Sequence, residues 1–536
     1  MTRFPNPTDL PLEKLVAQLM VVRTTGFLFD RQLQYPQWEA DLARLQKLIQ
    51  TYGVGGVILL GGSAAEVALK NQQMQAWAAL PLLICADIEE GVGQRFGGAT
   101  WFPPPMALGG MAKTDLAGAV AMAEAMGQAT AKEALAIGIN WLLTPTVDVN
   151  NNPANPVINV RAFGETSETV SVLTAAYIKG AKQAGALTTA KHFPGHGDTA
   201  TDSHWNLPVI AHDRDRLKAV ELKPFRHAID NGVDTVMGGH LIVPALDEGP
   251  TTFSKAVMGE LLRGELGFEG VVVTDAMVMG AIADGYGNGE AVVRAIEAGN
   301  DVIMMPLEAE GAIEAVIEAV NTGRIGRSQI EASVARIFKL KESLVLQTSP
   351  VNAEWLQKTQ AQDEAAQAVE EIMYGSLEVR RSPFFDLQPG WRNIIFTDNL
   401  LASPFIHRTA PAIAIPQGKG GETKIIDCAM GSGELPRDWL PQDTVIQIFL
   451  RGNPLRGIEA AVDCAKLWLK WLGDSGRLRA VVVYGSPYVA AELKVLIADE
   501  VSWVFCYGQM GDGQAIALGE LWGDRLGDKG KDGMFA

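Results

Sequence analysis

The stretch GVVVTDAMVMGAI, residues 270–282, contains the repeating unit that decides the fold. A valine-rich run typical of a buried strand ends at Asp275, and an apolar segment able to form a helix follows it. The same order occurs eight times between Leu15 and Leu344, and the predicted strands are QLMVV, GGVILL, LLICA, NWLLT, LTTA, TVMG, VVVT and DVIMM. Apolar strands alternating with helices indicate a parallel sheet covered on both faces. Eight of them within residues 1–345 predict a (β/α)8 barrel of the TIM type.

The residues just past the predicted strands, most of them polar or titratable, are Arg23, Gly61, Asp87, the loop 148–152, Lys191-His192, His240, Asp275 and Pro306. Barrels of this kind keep their chemistry at the carboxyl ends of the strands. Loops are polar for other reasons as well, but a Lys-His pair and a single aspartate next to apolar strands are costly to place without a function. We therefore expect the active site at this end of the barrel.

The pattern changes after the predicted barrel. Residues 346–382 form a polar segment that predicts a helical linker, and residues 383–536 resume the alternation with NIIFT, AIAI, KIIDC, VIQIFL, AVVVY and VSWVFCY as predicted strands. This second alternation predicts a smaller αβα sandwich. Its loops contain no nucleotide-binding fingerprint, so we expect no catalysis there.

Composition excludes several partners. The 536 residues carry 45 basic and 62 acidic side chains, a net charge of −17, which argues against binding to nucleic acid or an anionic membrane. No apolar run approaches the roughly 18 residues of a membrane span, and no signal peptide is visible. Four dispersed cysteines fit a reducing compartment. We expect a cytoplasmic protein without a cofactor, and the sequence does not indicate its oligomeric state.

The segment KHFPGHGDTATDSH, residues 191–204, holds three of the seven histidines. His192 and His196 could share a metal on one face of a helix, but the Pro-Gly pair between them excludes a helix, so we predict no metal site. Asp202, two residues before His204, can orient that imidazole as an acid–base group. No nucleophilic serine motif accompanies them. Asp275 is the best candidate nucleophile, and a carboxylate with a proton donor is the equipment for glycosidic bond cleavage.

This segment resembles the signature of glycoside hydrolase family 3, in particular its β-N-acetylglucosaminidase (NagZ-like) branch in the two-domain form. Further stretches resemble the family in the same order: NPVINVRAFGET, ELKPFRHAI, TTFSKAVMGELLRGELGFEGVVVTDAMVMGAI and AIEAGNDVIMMP. The resemblance implies that Asp275 is the catalytic nucleophile, His204 the general acid/base and Asp202 its dyad partner. It also implies a set of sugar-binding or pocket-lining residues: Asp87, Arg161, Lys191, His192, His196 and Met237.

The resemblance further implies a retaining exo-β-N-acetylglucosaminidase, a hydrolase acting on GlcNAc-containing fragments of peptidoglycan. Two alternatives stay open: a glycosidase or phosphorylase of another β-linked sugar, and a carbohydrate-binding or sensing protein on an inactive barrel. Arg161 could instead form a structural ion pair, and His240 could be a buried histidine with satisfied hydrogen bonds. The stretch DIEEGVGQRF departs from the family pattern, because Glu90 replaces a glycine and Gly93 replaces a valine.

Overall fold

The computed structural model describes residues 4–201, 207–344, 352–359, 363–383, 385, 387–388, 390–430, 442–452 and 457–524. The chain forms two compact units. One comprises Met1–Phe102 with Leu116–Ala368, and the other comprises Pro103–Asp115 with Val369–Ala536. The short segment Pro103–Asp115 therefore leaves the first unit's sequence to join the second unit.

The first unit contains the eight predicted strands and one added hairpin. The strands are β1 (Met20–Thr25), β2 (Gly56–Leu60), β3 (Leu83–Ala86), β4 (Trp141–Leu142), β5 (Thr189–Phe193), β6 (Thr235–Gly238), the hairpin β7 (Ile242–Val243) and β8 (Asp247–Pro250), then β9 (Val271–Thr274) and β10 (Ile303–Met304). Every residue of β1, β5, β6 and β9 is buried, as the aliphatic and β-branched runs predict.

Parallel pairing arranges the strands in a ring. One group has the order β10-β1-β2-β3-β4 and another has the order β5-β6-β9. Single parallel bridges join the groups at both edges, between Trp141 and Leu187 and between Val273 and Val302. The eight strands thus follow one another around a closed parallel ring, and the predicted barrel fold is confirmed.

Helix α1 precedes β1, and helices follow most of the strands. The helices up to the second sheet are α1 (Leu12–Gln18), α2 (Leu42–Lys47), α3 (Ala64–Trp77), α4 (Met106–Ala112, in the second unit), α5 (Leu116–Ala136), α6 (Ser167–Ala184), α7 (Arg214–Ala219), α8 (Leu222–Asp230), α9 (Gly280–Tyr286), α10 (Asn288–Ala298), α11 (Ala309–Asn321), α12 (Arg327–Glu342), α13 (Ala353–Thr359) and α14 (Asp363–Ser376). π-Helical turns cover Leu48–Tyr52 and Ala256–Glu265. The sequence sets the helix ends. Ser63 and Glu66 form a capping box at the start of α3, and α6 ends at Gly185 in a left-handed conformation.

The second unit is built on a six-stranded sheet of order β11-β16-β15-β14-β12-β13. Its strands are β11 (Glu378–Arg380), β12 (Arg392–Thr397), β13 (Glu422–Asp427), β14 (Thr444–Leu450), β15 (Leu478–Gly485) and β16 (Ser502–Cys506), and its further helices are α15 (Pro411–Gly418), α16 (Glu459–Asp474), α17 (Pro487–Lys494) and α18 (Gly511–Trp522). Strand β11 runs antiparallel to β16, and the other pairings are parallel.

One strand prediction in this unit is wrong. The run AIAI lies in helix α15, which begins at Pro411, and the sixth strand is the short edge strand β11. Proline is well placed in the first turn of a helix, because the N–H groups of that turn have no carbonyl partner within the helix. Ala412, Ile413 and Pro416 form the buried face of that helix, a spacing that fits a helical period.

Among the described residues, the helices are too short or too polar to cross a bilayer.

Candidate active site

The predicted sugar-binding residues of the barrel converge at the carboxyl ends of its strands. Asp87 directly follows β3 and Asp275 directly follows β9. Lys191 and His192 lie within β5 rather than after it, and Lys191 pairs with Met237 of β6. The parallel ring therefore brings residues that are far apart in sequence to one mouth.

Four charged side chains form a balanced cluster there. The Lys191 ammonium lies 2.8 Å from Asp87 and 2.6 Å from Glu89, and it is 1% exposed. Arg161 donates through Nε and Nη2 to the two oxygens of Glu89, each at 2.8 Å. Two cations thus face two carboxylates. The alternative that Arg161 forms an ion pair is confirmed, and its partner is Glu89.

The pKa values of this cluster follow from its pairing. Burial would raise the pKa of Glu89, but Arg161 and Lys191 outweigh it and hold that pKa well below its usual range. Burial would lower the pKa of Lys191, but Asp87 and Glu89 raise it above its ordinary value. Glu89, Lys191 and Arg161 are therefore charged at neutral pH, and the cluster offers fixed donors and acceptors to a bound hydroxyl.

Asp148, after β4, organises the histidines. Its carboxylate accepts hydrogen bonds from the backbone N–H groups of His192 at 3.1 Å and His196 at 2.7 Å, and Oδ2 lies 2.8 Å from Nδ1 of His192. This contact places a proton on Nδ1 of His192 and leaves Nε2 to face other groups. Burial lowers the pKa of His196 to about 4, so that imidazole is neutral near pH 7.

Asp275 is half-buried at the end of β9, and its Oδ1 accepts a 2.7 Å hydrogen bond from the N–H of Ala276. Burial would raise its pKa, but the charges of His192 and His240, the Ala276 N–H and Lys191 together lower it to about 2. Asp275 is therefore ionised throughout the physiological range. An ionised carboxylate that faces a polar mouth can act as a nucleophile.

His240 has partners on both ring nitrogens. Nδ1 lies 2.7 Å from the Thr252 hydroxyl and Nε2 lies 3.2 Å from the carbonyl oxygen of Ala276. It is buried, so its hydrogen bonds are those of a satisfied core histidine. Its contact with Ala276 also places it beside the candidate nucleophile.

Asp202 and His204 lie outside the described residues. The segment that precedes them is anchored at several points: Asn155 donates from its amide to the carbonyl oxygens of His196 and Gly197, both at 2.8 Å. Asp198 contacts Nε2 of His212 at 2.8 Å and Arg216 at 3.5 Å.

Asp198, His212 and Glu221 lie close enough together to hold a metal ion. The Arg216 guanidinium also contacts Glu221 at 3.0 Å, and so it already supplies positive charge to both carboxylates. The predicted absence of a metal requirement stays a prediction.

The stretch that departs from the family pattern is ordered around its unusual residues. Glu90 is buried, and its carboxylate accepts a 2.9 Å hydrogen bond from the Trp101 indole. A Cβ on Gly93 would lie 2.5 Å from the carbonyl oxygen of Ala99, so this backbone has no room for valine. Asp87 and Glu89 nevertheless reach Lys191, and the changes leave the charged cluster intact.

Two residues of this site were not assigned roles from the sequence. Glu89 stands two residues after Asp87 in the stretch DIEEGVGQRF, and Asp148 begins the polar loop 148–152 after a predicted strand. Their partners Arg161 and His192 lie 72 and 44 residues away along the chain, so local sequence carries no sign of the contacts. The one signal that could have indicated Asp148 is its place in a loop at the carboxyl end of a predicted barrel strand.

Comparison with known proteins identifies the family. Residues 11–340 match the glycosyl hydrolase family 3 N terminal domain, and residues 385–523 match the bacterial glycosyl hydrolase family 3 C-terminal domain. The chain is 37% identical over 333 residues to beta-hexosaminidase A of Pseudoalteromonas piscicida, an alignment covering 56% of this chain and 55% of that protein. It is 36% identical over 293 residues to a beta-hexosaminidase of Stenotrophomonas maltophilia, covering 53% and 87%.

A solved structure superposes on nearly the full length of this chain. A glycoside hydrolase family 3 beta-N-acetylglucosaminidase from Paenibacillus sp. superposes with a TM-score of 0.79 at 30% identity, covering 96% of this chain and 97% of that one. By contrast, the chain spans only about half the length of the Pseudoalteromonas relative. The matches to both family domains and the superposition together confirm the resemblance seen in the sequence: the chain belongs to glycosyl hydrolase family 3.

Proposed function

We propose that the protein is a retaining exo-β-N-acetylglucosaminidase that removes terminal β-linked GlcNAc by double displacement. The observation that carries this proposal is Asp275, an ionised carboxylate at the end of β9 beside the buried Lys191 and His192. The names of the relatives, beta-hexosaminidase and beta-N-acetylglucosaminidase, support the sugar.

In the first step, Asp275 attacks the anomeric carbon. The C1–O bond to the leaving group breaks as the bond from C1 to Asp275 forms, and His204 gives its proton to the departing oxygen. In the second step, His204 takes a proton from water, whose oxygen attacks C1 and releases Asp275 with net retention. Asp202 orients His204 and favours its protonated form.

The charged cluster holds the GlcNAc ring during both steps. Lys191 donates to sugar hydroxyls, Asp87 accepts from them, and Arg161 keeps Glu89 ionised and in place. His192 offers Nε2 because Asp148 occupies Nδ1. His196 and Met237, both buried, form part of the pocket wall. The reaction uses no cofactor or metal.

We infer that the substrate is a GlcNAc-containing fragment of peptidoglycan and that the enzyme acts in the cytoplasm, where such fragments would be recycled. The four cysteines are all free, which fits a reducing compartment and supports this location. The proposed division into catalytic barrel, helical linker (346–382) and sandwich leaves the second domain a supporting role.

Covalent trapping tests the nucleophile. A 5-fluoro GlcNAc donor with a good leaving group should form a stable ester on Asp275, and peptide mass spectrometry should locate it there. Asp275→Asn should abolish both labelling and turnover, while Asp213→Asn, which keeps the helix cap of α7, should retain both. An adduct on another residue, or none with turnover intact, would refute the assignment.

Leaving-group dependence tests His204. His204→Ala should lose roughly 10²–10⁴-fold on a GlcNAc disaccharide, whose alkoxide needs a proton. It should lose far less in the first step on a dinitrophenyl glycoside, and azide should restore turnover and yield the β-azide. His227→Ala on α8 is the control. Equal losses on both substrates without azide rescue would place the proton donor elsewhere, and release of GlcNAc 1-phosphate in phosphate buffer would indicate a phosphorylase.

A further inference from the structure

An exposed pair of aromatic rings stands on the loop that follows β1. Tyr35 and Trp38 are 43% and 39% exposed, and their rings stack with centroids 5.8 Å apart at 23°. The Arg23 guanidinium lies 4.9 Å from the centroid of Tyr35 and 5.6 Å from that of Trp38. Arg23 itself is buried, whereas more than a third of each aromatic residue is exposed. We call Tyr35 and Trp38 the aromatic platform.

Buried charged groups hold this loop in place. One oxygen of Glu39 contacts Arg23 at 3.3 Å, and the other accepts from the backbone N–H groups of Gln34 and Tyr35 at 3.1 and 3.2 Å. Lys70 of α3 donates to the carbonyl oxygens of Thr25 at 2.7 Å and of Phe27 at 3.0 Å. Exposed aromatic rings on a loop anchored in this way are preorganised for a ligand.

The platform lies on the same side of the barrel as the candidate active site. Its loop leaves the carboxyl end of β1, the end at which Asp87 and Asp275 follow their own strands. Arg95, eight residues after Asp87, lies in the loop that follows strand β3. Arg95 in turn donates to the backbone oxygen of Asp87 at 3.0 Å.

We propose that the aromatic platform binds the sugar ring on the leaving-group side of the scissile bond. The inference rests on the proposed glycosidase function and adds to it a preference for a saccharide leaving group. The charged cluster lies deep in the barrel and suits the GlcNAc ring that is cleaved off, whereas the platform is exposed and lies farther out.

The chemistry of the loop favours a sugar over a protein as the occupant. Pyranose rings present a face of C–H groups that packs on an aromatic plane, and their hydroxyls need polar neighbours. Asp30, Arg31 and Gln32 of the same loop supply polar groups and line a cleft of about 600 Å³ together with Phe29. Two rings are enough for one sugar, but they are far smaller than the roughly 800 Å² per partner of a stable protein interface.

Two substrates that differ only in the leaving group test the platform: β-1,4-linked GlcNAc disaccharide and β-GlcNAc fluoride, which has no sugar to place there. For Trp38→Ala, the ratio of kcat/KM on the disaccharide to kcat/KM on the fluoride should fall about tenfold, mainly through KM. Trp38→Phe should restore most of the ratio. Leu116→Ala, an exposed apolar residue at the start of α5, is the control.

The outcomes separate the two proposals. If the ratio is unchanged in Trp38→Ala, the platform is refuted and the glycosidase stands. If the wild-type enzyme cleaves neither substrate, the proposed function fails, and fluorescence titration of Trp38 with the disaccharide in Asp275→Asn decides the platform by itself. Saturable quenching that is lost in Trp38→Ala supports it, and absence of quenching overturns it. A change from dimer to monomer in Trp38→Ala, with the ratio intact, would assign the rings to a second copy of the chain.

Discussion

Replacing Lys341 with methionine should stabilise the barrel, and the gain should depend on pH. Lys341 is 2% exposed on α12, and its Nζ donates to Oε1 of Gln18 at 2.8 Å, the one hydrogen bond found for it among the described residues. In the part of the chain that the structure describes, no carboxylate contributes to its pKa, which burial lowers from 10.5 to about 7. An amine in this position must be desolvated without a counter-ion.

The magnitude follows from the two pKa values. Protonation favours the unfolded chain, so the cost to folding is largest below pH 7 and disappears as pH rises past 10.5. With a folded pKa of about 7, this cost is about 4 kcal/mol at pH 7 and about 2 kcal/mol at pH 9. Methionine removes it but leaves Oε1 of Gln18 without a donor, at a cost of about 1–3 kcal/mol.

Lys341→Met should therefore be about 1–3 kcal/mol more stable than the wild type at pH 7, and this advantage should shrink by about 2 kcal/mol at pH 9. Urea denaturation followed by tryptophan fluorescence at both pH values measures the difference. Lys339→Met, an exposed position on the same helix, is the control and should show no such pH dependence. A variant less stable than the wild type at pH 7, or a difference equal at both pH values, would refute the reasoning.

Other predictions concern the site. Glu89→Gln leaves the buried Lys191 and the partly buried Arg161 with half of their counter-charge and should cost about 3–5 kcal/mol in urea unfolding while raising KM. Gly93→Val, which restores the family residue, should destabilise by about 1–3 kcal/mol because its Cβ has no room, whereas Gly97→Ala, where nothing lies within 4 Å of the added carbon, should be neutral. Asp148→Asn should lower kcat/KM more than tenfold and alter the pH profile, because His192 loses the partner that sets its tautomer; an unchanged pH profile would leave Asp148 a structural role only. EDTA should leave activity unchanged, and loss with recovery on adding zinc would show a metal requirement.

The barrel was predictable because each of its strands carries a local signal. Buried parallel strands select aliphatic and β-branched residues along their whole length, as the valines of β9 do, and this pattern does not depend on which strand is the neighbour. The run AIAI misled the prediction for the same reason. A run of four apolar residues is compatible with a buried strand and with a buried helical segment. Here it forms helix α15, whose first residue is Pro411.

The candidate site was only partly predictable. Residues such as Asp275 could be found because a titratable group ends an apolar strand, which is a local feature. The partners that set their charge and orientation could not be found in this way: Glu89 with Arg161, and Asp148 with His192, are contacts between different βα units. The aromatic platform was missed as well, since Tyr35 and Trp38 stand in a loop of mixed polar and apolar residues without any regular spacing.

Charge balance links the cluster to the proposed chemistry. A glycosidase transition state develops positive charge at the anomeric carbon, and a pocket with excess positive charge would oppose it. Lys191 and Arg161 would create such an excess alone, but Asp87 and Glu89 cancel it, so these groups can fix hydroxyls without a net field at C1. The carboxylate of Asp275, with a pKa of about 2, then faces the developing cation as a full negative charge, and it can stabilise that charge before the covalent bond forms.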